Sequence, residues 1–123
     1  MSGAANGITA AVVDRVMEAI AKAGLVEVEV SARHVHLSQK DWEAIFGTEK
    51  SDLTPKRPLS QPGQYLSEER VSLITPKGRM DRVAVLGPFR GQTQVELSKS
   101  DCIALGIAAP IRESGHIDGS GRI

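Results

Sequence analysis

Apolar residues recur at helical spacing near the start of the chain. Ile8, Val12, Val13, Val16, Met17, Ile20 and Ala23 fall on one side, and Asp14, Arg15, Glu18 and Lys22 largely on the other. This spacing predicts an amphipathic helix that stops at Gly24, whose missing side chain suits a C-terminal cap. The small and polar residues ahead of it, Met1 to Gly7, predict a flexible lead. The period then changes to two. From Leu25 to His36, the residues Val26, Val28, Val30, Ala32, His34 and His36 alternate with Glu27, Glu29, Ser31 and Arg33, as in a strand with one apolar face. Ser38 predicts the N-cap of a short helix, Gln39 to Phe46, closed by Gly47, with Asp41 placed to reach back as in a capping box.

Thr48 to Ser67 is rich in proline, glycine, serine and glutamine and predicts a long, shaped, functional loop. Val71 to Thr75 and Arg79 to Leu86 are strand-like and joined at Pro76-Lys77-Gly78 as a hairpin. Thr93 to Leu97 predicts a further strand. Ser98 and Gly106 bracket a second short helix, Lys99 to Leu105.

The alternation brings in the chemistry. His34 and His36 share one strand face, and two neutral imidazoles at i and i+2 are close enough to hold one zinc-type ion. By itself such a pair recurs by chance, and a lone histidine on that face is a partnered core residue; a metal needs a third ligand. An internal echo supplies one. His36-Leu37-Ser38 leads to Asp41 and a helix ending in glycine, and Glu96-Leu97-Ser98 leads in the same way to Asp101 and Gly106. If the two strand-to-helix corners lie side by side, His36 and Glu96 converge, whereas the bland reading leaves Glu96 an exposed strand carboxylate. Lys77, Arg79, Arg82 and Arg90 gather around the hairpin and the Leu86-Gly87-Pro88-Phe89-Arg90-Gly91-Gln92 turn. An arginine on a glycine-flanked turn beside a metal is placed to clamp phosphate with its fork of donors. Cys102 sits in the apolar row of a short helix, which favours a structural role over that of a covalent acyl carrier.

Composition narrows the classes. The 123 residues suit one domain with a single core. Fifteen basic and fifteen acidic residues cancel, and aromatics are few, so neither the field nor the stacking platforms of a nucleic-acid binder are present. No apolar run approaches the roughly 18 residues that span a membrane, and the start lacks the pattern of a secretory signal. A single cysteine agrees with a reducing compartment. These features predict an intracellular protein without membrane or nucleic-acid partners.

At this point the motifs resemble a known family, the zinc-dependent phosphate propanoyltransferases (phosphotransacylases) of bacterial microcompartments. The resemblance runs from about Val28 to Ser120. It is carried by Val30-Ser31-Ala32-Arg33-His34-Val35-His36-Leu37-Ser38, Pro58-Leu59-Ser60-Gln61-Pro62-Gly63-Gln64, Leu86-Gly87-Pro88 with Arg90, Thr93-Gln94-Val95-Glu96, and Ala109-Pro110-Ile111-Arg112-Glu113-Ser114-Gly115. It implies transfer of a short acyl group, propanoyl or acetyl, between coenzyme A and inorganic phosphate. It implies zinc on His34, His36 and Glu96, phosphate on Arg90, and coenzyme A against Val30, Ser31, Ala32 and Lys77.

There are departures from the family pattern. Ala84 stands where the family carries another arginine that touches coenzyme A, and Arg82, two residues away, is the expected substitute. The family also carries a second barrel with three more histidines, which this chain, stopping at Ile123, lacks, while His116 reads as a loop residue. The resemblance therefore implies a truncated form, a fragment, or a chain completed by association. It further implies that the amphipathic helix packages the protein inside a microcompartment by contacting shell or core proteins. Apolar strand residues left without their usual cover predict a homo-oligomer.

The expected fold is mainly β: a small β-barrel of short strands capped by two short helices over residues 25–123, with the amphipathic helix appended over residues 1–24. The expected chemistry is attack of phosphate on the thioester of an acyl-coenzyme A, with zinc as Lewis acid and Arg90 as the phosphate clamp. The rival reading is a non-catalytic metal-binding or assembly module of the same compartment.

Overall fold

Helix-forming residues begin earlier than the apolar stripe, and so does the helix. The computed structural model describes residues 3–26 and 31–123, with side chains from residue 9 on. It divides into two units, Met1–Ser31 and Ala32–Ile123. In the first, α1 runs Gly3–Lys22, so the flexible lead expected up to Gly7 is helical from Gly3, where Ala4 and Ala5 favour the helix. Gly24 closes it with φ +75°, and Leu25 N–H donates to the Ile20 carbonyl. Val12, Val13 and Val16 on its apolar stripe stay more than half exposed. Among the described residues no helix is long and apolar enough to cross a membrane.

Of the strand expected from Leu25 to His36, the described residues are strand only at its end. Leu25, Val26 and Ser31 to Arg33 are not strand, and Val28 and Val30 lie outside the described residues. Among the described residues of this stretch only His34–His36 is strand, and it forms β1. Alternation records which side of a chain is buried, whereas a strand exists only where a neighbour completes its hydrogen-bond ladder. β1 has such a neighbour on each side.

In the second unit the elements follow as α2 (Gln39–Phe46), β2 (Pro55–Pro58), β3 (Tyr65–Thr75), β4 (Gly78–Gly87), β5 (Gln94–Glu96) and α3 (Lys99–Leu105). The five strands form one mixed sheet in the order β2-β3-β4-β1-β5. The long loop expected from Thr48 to Ser67 therefore contains an edge strand. Its prolines disguised it, since Pro55 and Pro58 lack an amide donor and are tolerated where a strand has only one neighbour. The closed barrel is likewise not formed among the described residues. β2 and β5 are edges with one neighbour each, and a proline-bounded strand and a three-residue strand offer little ladder on which to close.

β3 and β4 make the expected hairpin, closed at Thr75↔Gly78. Thr75 Oγ1 accepts from Gly78 N–H at 3.1 Å and donates to the Leu105 carbonyl at 2.6 Å, tying the turn to the end of α3. The buried core is Val35, Leu37, Trp42, Leu53, Leu73, Val83, Val85 and Leu105. Trp42 is its largest member, stacked on Phe46 and bonded through its indole N–H to the Lys50 carbonyl at 3.0 Å.

Two serines turn the corners that flank the site. Ser38 Oγ accepts from Asp41 N–H at 3.2 Å, and Ser98 Oγ accepts from Asp101 N–H at 3.1 Å, as the repeated motif predicts. The reciprocal half of the capping box is absent at Ser38, whose own N–H donates to Thr93 Oγ1 at 2.9 Å. Thr93 thus joins the start of α2 to the approach to β5. Asp101 instead takes a two-point contact from Arg33, Nε to Oδ2 at 3.0 Å and Nη2 to Oδ1 at 2.9 Å. This clamp holds the residue before His34 against the helix after Glu96. Because Arg33 is about half exposed, screening limits its value, and Arg33→Ala is expected to lower unfolding free energy by about 1 kcal/mol in urea titration. An unchanged midpoint would show the clamp to be idle.

Candidate metal and oxyanion site

β1 runs parallel to β4 and antiparallel to β5. Val35 pairs with Val85 on one side and Val95 on the other, which commits that face to the core. The opposite face then carries His34 beside Ala84 and Glu96, and His36 beside Leu86 and Gln94. Strand alternation therefore places both imidazoles, one amide and one carboxylate together. His34 Nε2 lies 3.0 Å from Glu96 Oε2, and His36 Nε2 lies 3.8 Å from Glu96 Oε1. The imidazole rings meet edge-on with centroids 4.9 Å apart.

Among the described residues these three form a group whose ligand atoms all lie within 4.8 Å of one another. Two histidines and a carboxylate suit a zinc-type cation, whose tetrahedral shell sets its ligand atoms about 3.3 Å apart. The orientation of His34 fits as well. Its Nδ1 lies 2.8 Å from the Ala32 carbonyl, which can only accept, so Nδ1 carries an N–H and Nε2 is the ring atom turned toward Glu96, the orientation common to metal-bound histidines.

Burial is the main cause that pulls the pKa of His36 down, to about 4, helped by the proximity of Arg90 and of His34 and only partly offset by Glu96. His36 is therefore neutral, as a ligand must be, at neutral pH. The sign for stability follows. Between about pH 6.5 and 4 the unfolded chain holds a proton on this residue that the folded chain does not, so stability falls as the medium is acidified through that window. In metal-free protein the loss from His36 is expected to reach about 3 kcal/mol by pH 4. A His36→Gln variant whose urea midpoint shows the same acid slope would contradict the assignment.

Arg90 enters from the turn after β4. Its N–H donates to the Leu37 carbonyl at 2.9 Å, and its Nη1 donates to Gln94 Oε1 at 3.2 Å. With His36, Pro62, Gly63, Gln64, Gly87 and Pro88 it lines a cleft of about 320 Å³. Pro62-Gly63-Gln64 of the predicted functional loop is thus one wall. The structure separates the other cations from this cleft. Lys77 lies at the far end of β4 and lines a different groove, with Thr75, Leu105 and Ile107. Arg79 pairs with Asp81 at 2.7 Å.

Arg82 does not share the face of Ala84 in the way simple alternation predicts. A bulge falls between the pairs Val71↔Val83 and Leu73↔Met80, and Arg82 takes the left-handed φ of +59° there. Ala32 contributes through its carbonyl on His34. Ser31 is exposed and falls in the first unit, and Val30 is outside the described residues. Cys102 is half-buried within α3, and His116 is exposed.

Two residues that the sequence reading did not single out are at the centre of the site. Gln94 is buried between Arg90 and Glu96, and Ser114 reaches in from the segment after α3 to contact Glu96, Gln94 and Arg90. A signal for Gln94 was available, since it stands two residues before Glu96 and so shares its face. Nothing local marks Ser114, which arrives by a tertiary path.

Comparison with known proteins assigns the chain to a family. The family model described as Phosphate propanoyltransferase matches residues 27–123. The chain belongs to the phosphate propanoyltransferase family. Curated relatives of that name include one from Clostridioides difficile, 48% identical over 109 residues, covering 89% of this chain and 52% of that protein. One from Listeria monocytogenes is 54% identical over 95 residues, covering 77% of this chain and 44% of that protein. One from Thermotoga maritima is 50% identical over 93 residues, with 76% and 44% covered. The chain spans about half the length of the curated relatives it matches. The phosphate propanoyltransferase match takes in His34, His36, Arg90, Gln94, Glu96 and Ser114.

Proposed function

We propose that the chain carries the phosphate side and one cation site of an acyltransferase that moves a propanoyl or acetyl group between coenzyme A and inorganic phosphate. The observation that carries this reading is the single cleft shared by Arg90 and His36, with Glu96 and His34 behind it. Family membership supports the reaction class. His34, His36 and Glu96 would hold zinc, which when bound supplies a Lewis acid for the thioester carbonyl or the departing thiolate. Arg90 offers its planar fork to phosphate and neutralises charge on the oxygens that do not react. Phosphate is nucleophilic near neutral pH, so the chain need supply no separate base. A phosphate oxygen bonds to the acyl carbon, the carbon–sulfur bond breaks, and the electron pair leaves with coenzyme A as thiolate. For coenzyme A itself, the supporting feature is the groove of about 470 Å³ that Lys77 lines.

A second reading is a metal-binding module without turnover, which the grouping of His34, His36 and Glu96 would suit. One assay separates the two. Purified chain with propanoyl-coenzyme A and phosphate is expected to release free thiol only when zinc is present. Tight zinc binding without thiol release would leave the module reading. We also propose that α1 addresses the protein to a bacterial microcompartment and supports self-association, because its valines are exposed along one stripe. Residues 1–24 fused to a fluorescent protein are expected to collect in compartments, and diffuse fluorescence would count against the address.

A further inference from the structure

The amide of Gln94 is 8% exposed and has no idle position. Its Nε2 donates to Glu96 Oε1 at 2.5 Å and to Ser114 Oγ at 3.4 Å. Its Oε1 accepts from Arg90 Nη1 at 3.2 Å and from Gly115 N–H at 3.0 Å. A primary amide has two donors and two lone pairs, and all four are used. Turning the amide over would set its carbonyl against a carboxylate and its NH2 against a guanidinium, so the surrounding charges dictate one orientation.

Ser114 repeats the pattern with a hydroxyl. Its Oγ donates to Glu96 Oε1 and accepts from Gln94 and from Arg90 Nη1 at 3.4 Å. That uses its one donor and both lone pairs. Two uncharged side chains thus each touch the carboxylate with a donor and the guanidinium with an acceptor. Holding Oε1 leaves Oε2 beside His34 Nε2. Without these dipoles between them, Glu96 and Arg90 would be free to turn toward each other, and a direct ion pair would consume the groups needed for cation and oxyanion.

We propose that Gln94 and Ser114 are positioning residues that hold the Glu96 carboxylate and the Arg90 guanidinium in one shared arrangement, so that affinity for the cation and affinity for the oxyanion change together. This rests on the reading above, in which Glu96 takes a metal ion and Arg90 takes phosphate. Outer partners of metal ligands typically change affinity by about 10- to 100-fold. Ser114 lies on an exposed segment, so its replacement leaves the core intact.

The test titrates the full metal-free chain with Co2+, followed by its visible absorption, and then titrates the Co2+-loaded chain with inorganic phosphate by calorimetry. Ser114→Ala is expected to weaken both affinities by about tenfold, with an unchanged thermal midpoint, and to shift the Co2+ absorption bands. Ser114→Thr, which keeps the hydroxyl, is expected to stay within about twofold of the parent in both. Gln94→Ala is expected to weaken both by at least about tenfold. Ser120→Ala, at an exposed serine bonded only to the Ile117 carbonyl, is the control expected to change neither.

If the parent binds both probes and Ser114→Ala and Gln94→Ala leave both affinities unchanged, or weaken one and spare the other, the positioning role is overturned while the two sites stand. A parent chain that binds neither Co2+ nor phosphate overturns the underlying reading, and this inference with it.

Discussion

Glu96→Ala is expected to weaken zinc binding by about 1000-fold, or about 4 kcal/mol, in competition with a chelator of known affinity. The carboxylate is the one anionic member of the cluster, and it lies 3.0 Å from His34 Nε2 and 3.8 Å from His36 Nε2. Its removal leaves two neutral nitrogens and takes away the charge that balances a divalent ion. It also strands the Gln94 N–H that donates to Glu96 Oε1. His34→Ala is expected to act as strongly, since its Nε2 is presented by the Ala32 carbonyl at no further cost in ordering. Glu96→Gln separates charge from volume: it keeps one oxygen ligand and is expected to lose less than the alanine variant. Zinc affinity that stays within about tenfold of the parent in both Glu96→Ala and His34→Ala would refute the cation site.

Arg90→Ala is expected to lower kcat/KM for phosphate by about 1000-fold in the thiol-release assay, and Arg90→Lys by about 100-fold. The loss should appear in the phosphate dependence, with KM for the acyl-coenzyme A little changed. A lysine keeps the charge but not the planar fork, and the partial loss measures how much of the effect is geometry. Among the described residues Arg90 is the cation lining the cleft with His36; Lys77 lines a separate groove and Arg79 is engaged by Asp81. Near-parental kinetics in Arg90→Ala would place the phosphate elsewhere.

The legible parts of this chain were those with a local cause. Both short helices begin at the serines that accept from the third residue on, Ser38 to Asp41 and Ser98 to Asp101. The β3–β4 hairpin turns where proline and glycine require it, and His34 and His36 share a face because alternation allows nothing else. The illegible parts depend on partners distant along the chain. β2 was hidden by Pro55 and Pro58, whose tolerance there comes from having a single neighbour, β3. Arg82 was assigned to a face by an alternation that a bulge interrupts. The barrel was expected from the run of short strands, yet closure is a property of which edges meet, and the described edges do not.

The site divides along the same line. Sequence alone determined which groups were available: two imidazoles at strand spacing, a carboxylate at the equivalent corner, and an arginine on a glycine-flanked turn. The parallel pairing of β1 with β4 and its antiparallel pairing with β5 decided that these groups meet. Only the tertiary structure placed Gln94 and Ser114 between carboxylate and guanidinium. Side-chain direction is set within two or three residues by backbone sterics, whereas convergence of separate segments is set by the burial and hydrogen bonding of the whole domain.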